Sequence, residues 1–414
     1  MHESCAKIRI ISINLNNSEL KTQNSKLKTQ NSKLKTQNSE LMTKIILVAG
    51  ARPNFMKIAP LMHALKGNSL IKPVLVHTGQ HYDEKMSGQF FEELNIPLPD
   101  INLNVGSASH AVQTARIMEG FEKVCLDEKP DAVLVVGDVN STAACTLVAS
   151  KMGIKTIHYE AGLRSHDRSM PEEINRLVTD AISDIFITTS ADADDNLLKE
   201  NIPAEKIHML GNLMIDSLVE QLPKAVETEL KFDLLNRDAR IEIGNDFREK
   251  EFGVMTFHRP GNVDDRDSLT GLVKIWGKIS ERVPLIFPVH PRTYKNIQQF
   301  GLQNAIDDFP HLYFIEPLGY LQFIHLVSRS MFTLTDSGGI QEETTYLGIP
   351  CLTVRPTTER PVTIWEGTNS LINVQEIEPE VNKILSGKGK KGNVPKYWDG
   401  KTAERIVQML MKEI

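Results

Sequence analysis

Short runs of Val, Ile and Leu recur along this chain without polar alternation, each followed by a helix-length segment, and that rhythm limits the possible folds more than any other feature. A strand that is apolar at every position must be covered on both faces. Parallel strands joined by crossover helices meet that condition. Strands are expected at 45–48, 74–77, 132–136, 156–159 and 185–188, with helices at 58–65, 86–94, 112–126, 142–152 and 172–182. The pattern restarts at 253–256, 285–289, 312–315, 332–335 and 351–354, while residues 222–252 are mostly charged and carry no strong strand signal. The fold class is α/β: two Rossmann-like, doubly wound domains facing across a cleft, with the boundary near 211–222. In such sheets ligands bind beyond the carboxyl ends of the strands.

Length and charge narrow the partners. At 414 residues the chain holds two or three domains, each able to bury a core. A net charge of -6 argues against a dedicated nucleic-acid binder, whose affinity comes from neutralising phosphates. No apolar run approaches the roughly 18 residues that span a bilayer, so no membrane partner is expected. The first residues lack a small-residue cleavage site, and Cys5, Cys125, Cys145 and Cys351 have neither metal-type nor redox-type spacing. A cytoplasmic location follows as the expectation, with the cysteines as thiols of a reducing compartment.

Residues 20–41 repeat a seven-residue unit, Leu20-Lys-Thr-Gln-Asn-Ser-Lys, which restarts at Leu27 and Leu34. Only one position in seven is apolar, half of what a coiled-coil seam needs, so a disordered leader is expected over 1–41. Seven Lys/Arg against three Asp/Glu set it apart from the acidic remainder, and the working protein is expected to start near Met42. The expected layout is an N-terminal domain over 42–212, a C-terminal domain over 213–395, and a helix over 396–414 that packs back on the N-terminal domain.

The strand ends are polar and ionisable almost throughout. The first domain offers Arg52 and Lys57, then Asp138, then Glu160 and Arg164; the second offers His258-Arg259, His290, Asp336-Ser-Gly-Gly339 and Arg355 to Arg360. Repeated Arg, His and Glu favour a polyanionic ligand over ordinary loop chemistry. In Asp336-Ser337-Gly338-Gly339-Ile-Gln-Glu342-Glu343 a strand ends, two glycines permit a tight turn, and a helix starts near Gly339, where backbone N–H groups and the helix dipole would hold a phosphate. The Glu pair one turn further suits ribose hydroxyls. Arg52 and Lys57 would neutralise a pyrophosphate. Asp138, Glu160 and Glu172, if they converge, would raise at least one pKa and so separate acid from base. Asp138 and Glu172 could equally be helix caps. His258 and His290 end neighbouring strands, where a His can donate to a leaving phosphate. No Gly-x-Gly-x-x-Gly follows a strand, no phosphate loop ends in Gly-Lys-Ser/Thr, and no His spacing fits a metal.

Eight motifs in order resemble the non-hydrolysing UDP-N-acetylglucosamine 2-epimerase family. They are Gly50-Ala-Arg-Pro-Asn-Phe-Met-Lys-Ile-Ala-Pro60, Thr78-Gly-Gln-His81, Gly137-Asp-Val-Asn-Ser-Thr142, His158-Tyr-Glu-Ala-Gly-Leu-Arg164, Pro171-Glu-Glu-Ile-Asn-Arg176, Pro288-Val-His-Pro291, Thr335-Asp-Ser-Gly-Gly-Ile-Gln-Glu-Glu343 and Thr357-Thr-Glu-Arg-Pro361. The resemblance covers the chain from about residue 44 onward. It implies the two-domain arrangement of one large glycosyltransferase class (GT-B type), and inversion at C2 between UDP-GlcNAc and UDP-ManNAc with neither metal nor nicotinamide cofactor. It assigns Arg52, Lys57, Ser337, Gly338, Gly339, Glu343 and Arg360 to the nucleotide and phosphates, and Phe323 with the Leu318 backbone to uracil. Asp138, Glu160 and Glu172 become the acid/base carboxylates, with His258 beside the glycosidic phosphate. It also implies a homodimer. Regulated relatives bind a second substrate molecule near positions matching Gln80, His81, Arg116 and His290; here Asp83 stands where many of them carry Gln. His258-Arg-Pro-Gly-Asn262 departs from the His-Arg-Arg-Glu-Asn of many members, and Gly-Ala-Arg-Pro is shared with epimerases of diacetamido uronic acid nucleotides. That substrate, a hydrolysing epimerase, a glycosyltransferase and a non-catalytic sensor are the alternatives, and which carboxylate is base stays open.

Overall fold

The computed structural model describes residues 42–79 and 95–414, with the side chain of Arg52 outside that description. The expected leader over 1–41 and helix over 86–94 therefore lie outside the described residues. Seven parallel strands form the first sheet in the order β3-β2-β1-β4-β5-β6-β7: β1 (Thr43–Ala49), β2 (Ile71–His77), β3 (Ile101–Asn102), β4 (Ala132–Val136), β5 (Lys155–Tyr159), β6 (Ile185–Thr188) and β7 (Ile207–Met209). A two-stranded antiparallel ribbon follows, β8 (Lys231–Asp233) with β9 (Arg240–Glu242). The second parallel sheet runs β12-β11-β10-β13-β14-β15, built from β10 (Gly253–Thr256), β11 (Leu285–Pro288), β12 (Leu312–Ile315), β13 (Phe332–Thr335), β14 (Cys351–Val354) and β15 (Asn369–Ile372).

Each apolar strand serves two cores at once. Along β1 and β4, Ile45, Leu47, Ala49, Ala132, Leu134 and Val136 face a core shared with Phe55, Ile58 and Leu61 of the helix Arg52–Leu65. Their neighbours Ile46, Val48, Val133 and Val135 face Ile117, Phe121, Val124 and Val148, from the helices His110–Glu128 and Asn140–Lys151. Successive side chains point to opposite faces of a sheet, so only a strand apolar at every position can fill both layers. In the second sheet, Met255, Leu285 and Leu334 pack around Trp276, while Val254 and Ile286 pack on Leu326 and Val327.

Two helices tie the lobes together. The helix Leu213–Ala225 occupies most of the expected boundary region. Its Leu213 and Met214 join the first-sheet core, and Ile215 and Leu218 pack with Ile324 and Val362 of the second lobe. The final helix, Thr402–Glu413, sends Ala403, Ile406 and Leu410 into the first-sheet core. Its start is fixed by the Asp216 carboxylate, which accepts from the Ala403 N–H at 2.7 Å. Among the described residues no helix is long and apolar enough to cross a membrane.

Strand order reverses direction between β1 and β4 in one sheet and between β10 and β13 in the other. At such switch points the following loops part and leave a crevice. The four loops concerned begin at Gly50, Gly137, Phe257 and Asp336.

Candidate active site in the interdomain cleft

A cavity of about 540 Å³ lies between the lobes, within the range of small-molecule sites. The switch-point loops supply Ala51, Asn54, Asp138, Val139, Arg259 and Ser337 to Ile340; more of its wall comes from Lys57, Glu172, Arg176, Leu318, Phe323, Glu342, Glu343 and Arg360. Of the residues singled out from sequence, Lys57, Asp138, Glu172, Leu318, Phe323, Ser337, Gly338, Gly339, Glu343 and Arg360 thus meet in one cavity. Glu160, His258 and His290 are not part of its lining, and Arg116 is exposed on the helix His110–Glu128. Gln80, His81 and the Arg52 side chain lie outside the described residues, so the second-substrate site is undescribed on that side.

The loops are braced where they leave the strands. Asn54 accepts from the N–H groups of Gly50 (3.1 Å) and Ala51 (2.9 Å) and donates to the Val136 carbonyl (3.2 Å), which locks the β1 loop to the end of β4. Gly137 is left-handed at φ 71°, and a side chain there would crowd Asn54 and Glu160 at 3.3 Å. Glu160 itself has φ 71°, an uncommon conformation for a residue with a side chain, of the kind that collects at functional sites. On the opposite lobe the helix Gly339–Leu347 starts one residue after Gly338. A Cβ on Gly338 would stand 2.9 Å from Glu359 Oε1 and 3.2 Å from Arg360 Nη1, so only glycine lets this turn approach the Arg360 side chain.

Charges are arranged as a linked chain across the cleft. The Lys57 ammonium bonds Glu160, and both are buried. Arg360 of the other lobe approaches Glu160 at 3.9 Å and pairs with Glu342 (2.9 Å) and Glu359 (2.5 Å); Arg355 holds the second oxygen of Glu359 at 2.9 Å. Asn212, which caps the bridging helix, donates to Glu342 at 2.9 Å. Arg176 joins Asp138 to the buried Glu173, the latter at 2.6 Å.

These contacts push the carboxyls apart. Burial raises the Asp138 carboxyl, helped by Glu160 and Glu359 and opposed by Arg176 and Lys57, and the net shift is upward. Burial would also raise Glu160, yet Lys57 and Arg360 outweigh it and hold Glu160 below the usual carboxylate range. One acid-leaning and one ionised carboxyl therefore stand together, the separation expected from their convergence. Asp138 does not cap a helix, since Val139 is the N-cap of Asn140–Lys151; Glu172 sits in the first turn of the helix Pro171–Ile182. The Glu343 carboxyl, buried beside Tyr320 and Glu342, is pushed up to about 8. Between about 4.5 and 8 the native state keeps a proton that the unfolded chain releases, so this stabilisation is complete below 4.5 and lost as pH rises toward 8. Urea unfolding at pH 5 and pH 8 should show Glu343→Gln removing part of that decline; an unchanged decline would mean that Glu343 does not hold the proton.

His258, whose expected place is beside a leaving phosphate, follows β10 next to Arg259 of the cavity wall. Its ring bonds Asp336 at 3.0 Å and stacks near His290, with centroids 5.6 Å apart, outside the cavity lining. Asn54, Arg176 and Glu359 were given no role of their own from sequence, and Glu342, read there with Glu343 as suited to ribose hydroxyls, is paired with Arg360. For Arg176 a signal existed: it follows Glu173 by three residues, and that helical spacing places both on one face.

Two doubly wound lobes with a cavity between them at both switch points define the class: a two-domain α/β protein of GT-B architecture. A sequence profile of the UDP-N-acetylglucosamine 2-epimerase family matches residues 63–411. The UDP-N-acetylglucosamine 2-epimerase of Methanococcus maripaludis is 42% identical over 376 residues, spanning 90% of this chain and 99% of that protein. The UDP-2,3-diacetamido-2,3-dideoxy-D-glucuronate 2-epimerase of Pseudomonas aeruginosa is 38% identical over 373 residues, 89% of this chain and 99% of that protein. The crystal structure of Methanocaldococcus jannaschii UDP-GlcNAc 2-epimerase in complex with UDP-GlcNAc and UDP superposes with a TM-score of 0.77 at 40% identity, covering 89% of this chain and 100% of that one. The chain belongs to the UDP-N-acetylglucosamine 2-epimerase family and is an isomerase.

Proposed function

We propose that the chain interconverts UDP-GlcNAc and UDP-ManNAc by eliminating and re-adding UDP through a 2-acetamidoglucal, without losing that intermediate to water. The observation that carries this reading is the meeting of two carboxyls, Asp138 and Glu172, with the Ser337–Gly339 turn and its helix start in one cavity between the lobes. The C2 hydrogen is not next to a carbonyl, so direct deprotonation has a very high barrier. Breaking the C1–O bond first, or together with C2–H, sends the bond's electron pair onto the β-phosphate of UDP and builds positive charge along C1–O5. The C2–H pair then becomes the C1–C2 double bond, and the proton passes to a carboxylate. Return of a proton to the other face, with UDP oxygen closing on C1, gives the epimer.

Asp138 and Glu172, the carboxyls that line the cavity, exchange the proton. Glu160 stands behind Lys57, bonded to its ammonium, and adds negative potential beneath the sugar cation. The glycine turn, the helix start and Arg360 hold the diphosphate. His258, its Nδ1 held by Asp336 at 3.0 Å, keeps Nε2 for the glycosidic phosphate that the resemblance assigns to it. The resemblance adds a homodimer in cytoplasmic polysaccharide synthesis; the free, buried Cys125, Cys145 and Cys351 suit a reducing compartment. A second substrate reading, the diacetamido uronic acid nucleotide, draws support from the Pseudomonas aeruginosa relative.

Incubation with UDP-GlcNAc in deuterated water, followed by NMR, tests the proposal. Deuterium at C2 with UDP-ManNAc forming is the expected result. Free ManNAc would point to the hydrolysing reaction, and neither exchange nor product would count against C2 chemistry on this substrate.

A further inference from the structure

We propose that Arg259, to which neither the motifs nor the resemblance gives a role, is the cation that receives the β-phosphate of the departing diphosphate. This deepens the reading above and rests on it. Lys57, Arg176 and Arg360 all line the cavity, but each is already held by a carboxylate: Lys57 by Glu160, Arg176 by Asp138 and Glu173, Arg360 by Glu342 and Glu359. Among the described cavity-lining residues, Arg259 is the cation with no carboxylate at ion-pair distance.

Its position is fixed all the same. Arg259 Nε donates to the Asp336 carbonyl at 3.0 Å, and its backbone N–H donates to the Asp336 carboxylate at 2.9 Å. Asn262 and the His258 N–H donate to the same carboxylate at 3.1 Å each. The guanidinium is thereby fastened to the residue that precedes the Ser337–Gly339 turn, with its two terminal nitrogens left over. Burial, and the nearby Arg355, lower its pKa, so the charged form carries a cost that an arriving anion would relieve. The opposite charges that act on it at longer range are Glu359, Asp336 and Glu172, the last from the facing lobe. Through Asp336 the group sits on the cavity wall at the start of the glycine turn.

The chemistry needs a cation there. When C1–O breaks, the bridging oxygen keeps the electron pair and the β-phosphate gains a full negative charge. A two-pronged donor aimed at that phosphate interacts more strongly after cleavage than before it, which lowers the barrier and not only the substrate dissociation constant. Arg259→Met keeps most of the volume and removes the charge. It is expected to lower kcat by about 10²–10³-fold, the usual loss for one preorganised donor. UDP affinity should fall by about tenfold or more, the scale of one charge-assisted contact, while UMP and uridine bind as to the wild type, because neither carries a β-phosphate. Arg259→Lys keeps the charge without the fork and should retain most of the UDP affinity yet regain only part of kcat; it decides the matter should the Met variant fail to fold. Loss of UMP affinity equal to that of UDP, or a kcat within about threefold of wild type in both variants, would overturn the assignment. Wild-type protein that neither binds UDP nor exchanges C2 hydrogen would instead overturn the proposed function, so the two failures are distinguishable.

Discussion

Replacing Asp138 by Asn is expected to slow exchange of the C2 hydrogen by about 10²–10⁴-fold, the range lost with a general acid or base, while UDP affinity changes little. Asn has nearly the same shape and keeps a carbonyl oxygen for Arg176, so the wall of the cavity survives. What is lost is the ability to take and return a proton. Asp138 follows Gly137 at the end of β4, lines the cavity, and has its carboxyl raised by burial against the pull of Arg176 and Lys57. A carboxyl poised in that way changes state more readily than one held firmly ionised, as Glu160 is. Measured side by side, C2 exchange in deuterated water and UDP binding should separate. Equal losses in both would mean that Asp138 shapes the nucleotide site and moves no proton.

Arg176→Met is expected to produce the largest loss of stability, about 3–5 kcal/mol in urea unfolding at pH 7, the range for leaving a buried charge without its partner. Arg176 is 1% exposed and spans two carboxylates, Asp138 and Glu173. Glu173 is itself 2% exposed and also accepts from the Ser165 N–H and hydroxyl, both at 2.9 Å, and from the His166 N–H at 3.0 Å. Those donors keep it from being fully orphaned, which sets the expectation toward the lower end of the range. Adding Glu173→Gln to Arg176→Met should recover part of the loss, since the stranded charge is then removed. A single-variant loss below about 1 kcal/mol would show that the arginine is not what holds these carboxylates in place.

The contrast between what could and could not be read from sequence follows the range of the interactions. β4, β6, β10, β12, β13 and β14 fall where short, largely apolar runs placed them, because a parallel strand covered on both faces admits few polar side chains beyond Thr. β15, Asn-Ser-Leu-Ile, escaped because its polar start is satisfied inside the protein: Asn369 accepts from Thr353 at 2.7 Å and donates to Gln341 at 3.0 Å. β3 is two residues long, and β8 and β9 are three each, too short for any period to register. In the site, each loop named itself by its polar residues after a strand. Their pairings did not, since Lys57 meets Glu160 across 103 residues and Asn212 meets Glu342 across 130. Arg259 was visible only as one more basic residue at a strand end; its significance appears once the other described cations of the cavity wall, Lys57, Arg176 and Arg360, are seen to be paired.

The central claim is that the cleft stabilises UDP as a leaving group well enough for C2 to lose its hydrogen. Positional isotope exchange tests it most directly. UDP-GlcNAc carrying ¹⁸O in the bridge between C1 and the β-phosphate is incubated with the protein, and the label is located by ³¹P NMR. Elimination frees that oxygen to rotate among the β-phosphate positions before C1 closes again, so the label should scramble into non-bridging sites while deuterium enters C2. Deuterium entry with the label still wholly in the bridge would contradict it, because the hydrogen would then have exchanged without the C1–O bond ever opening.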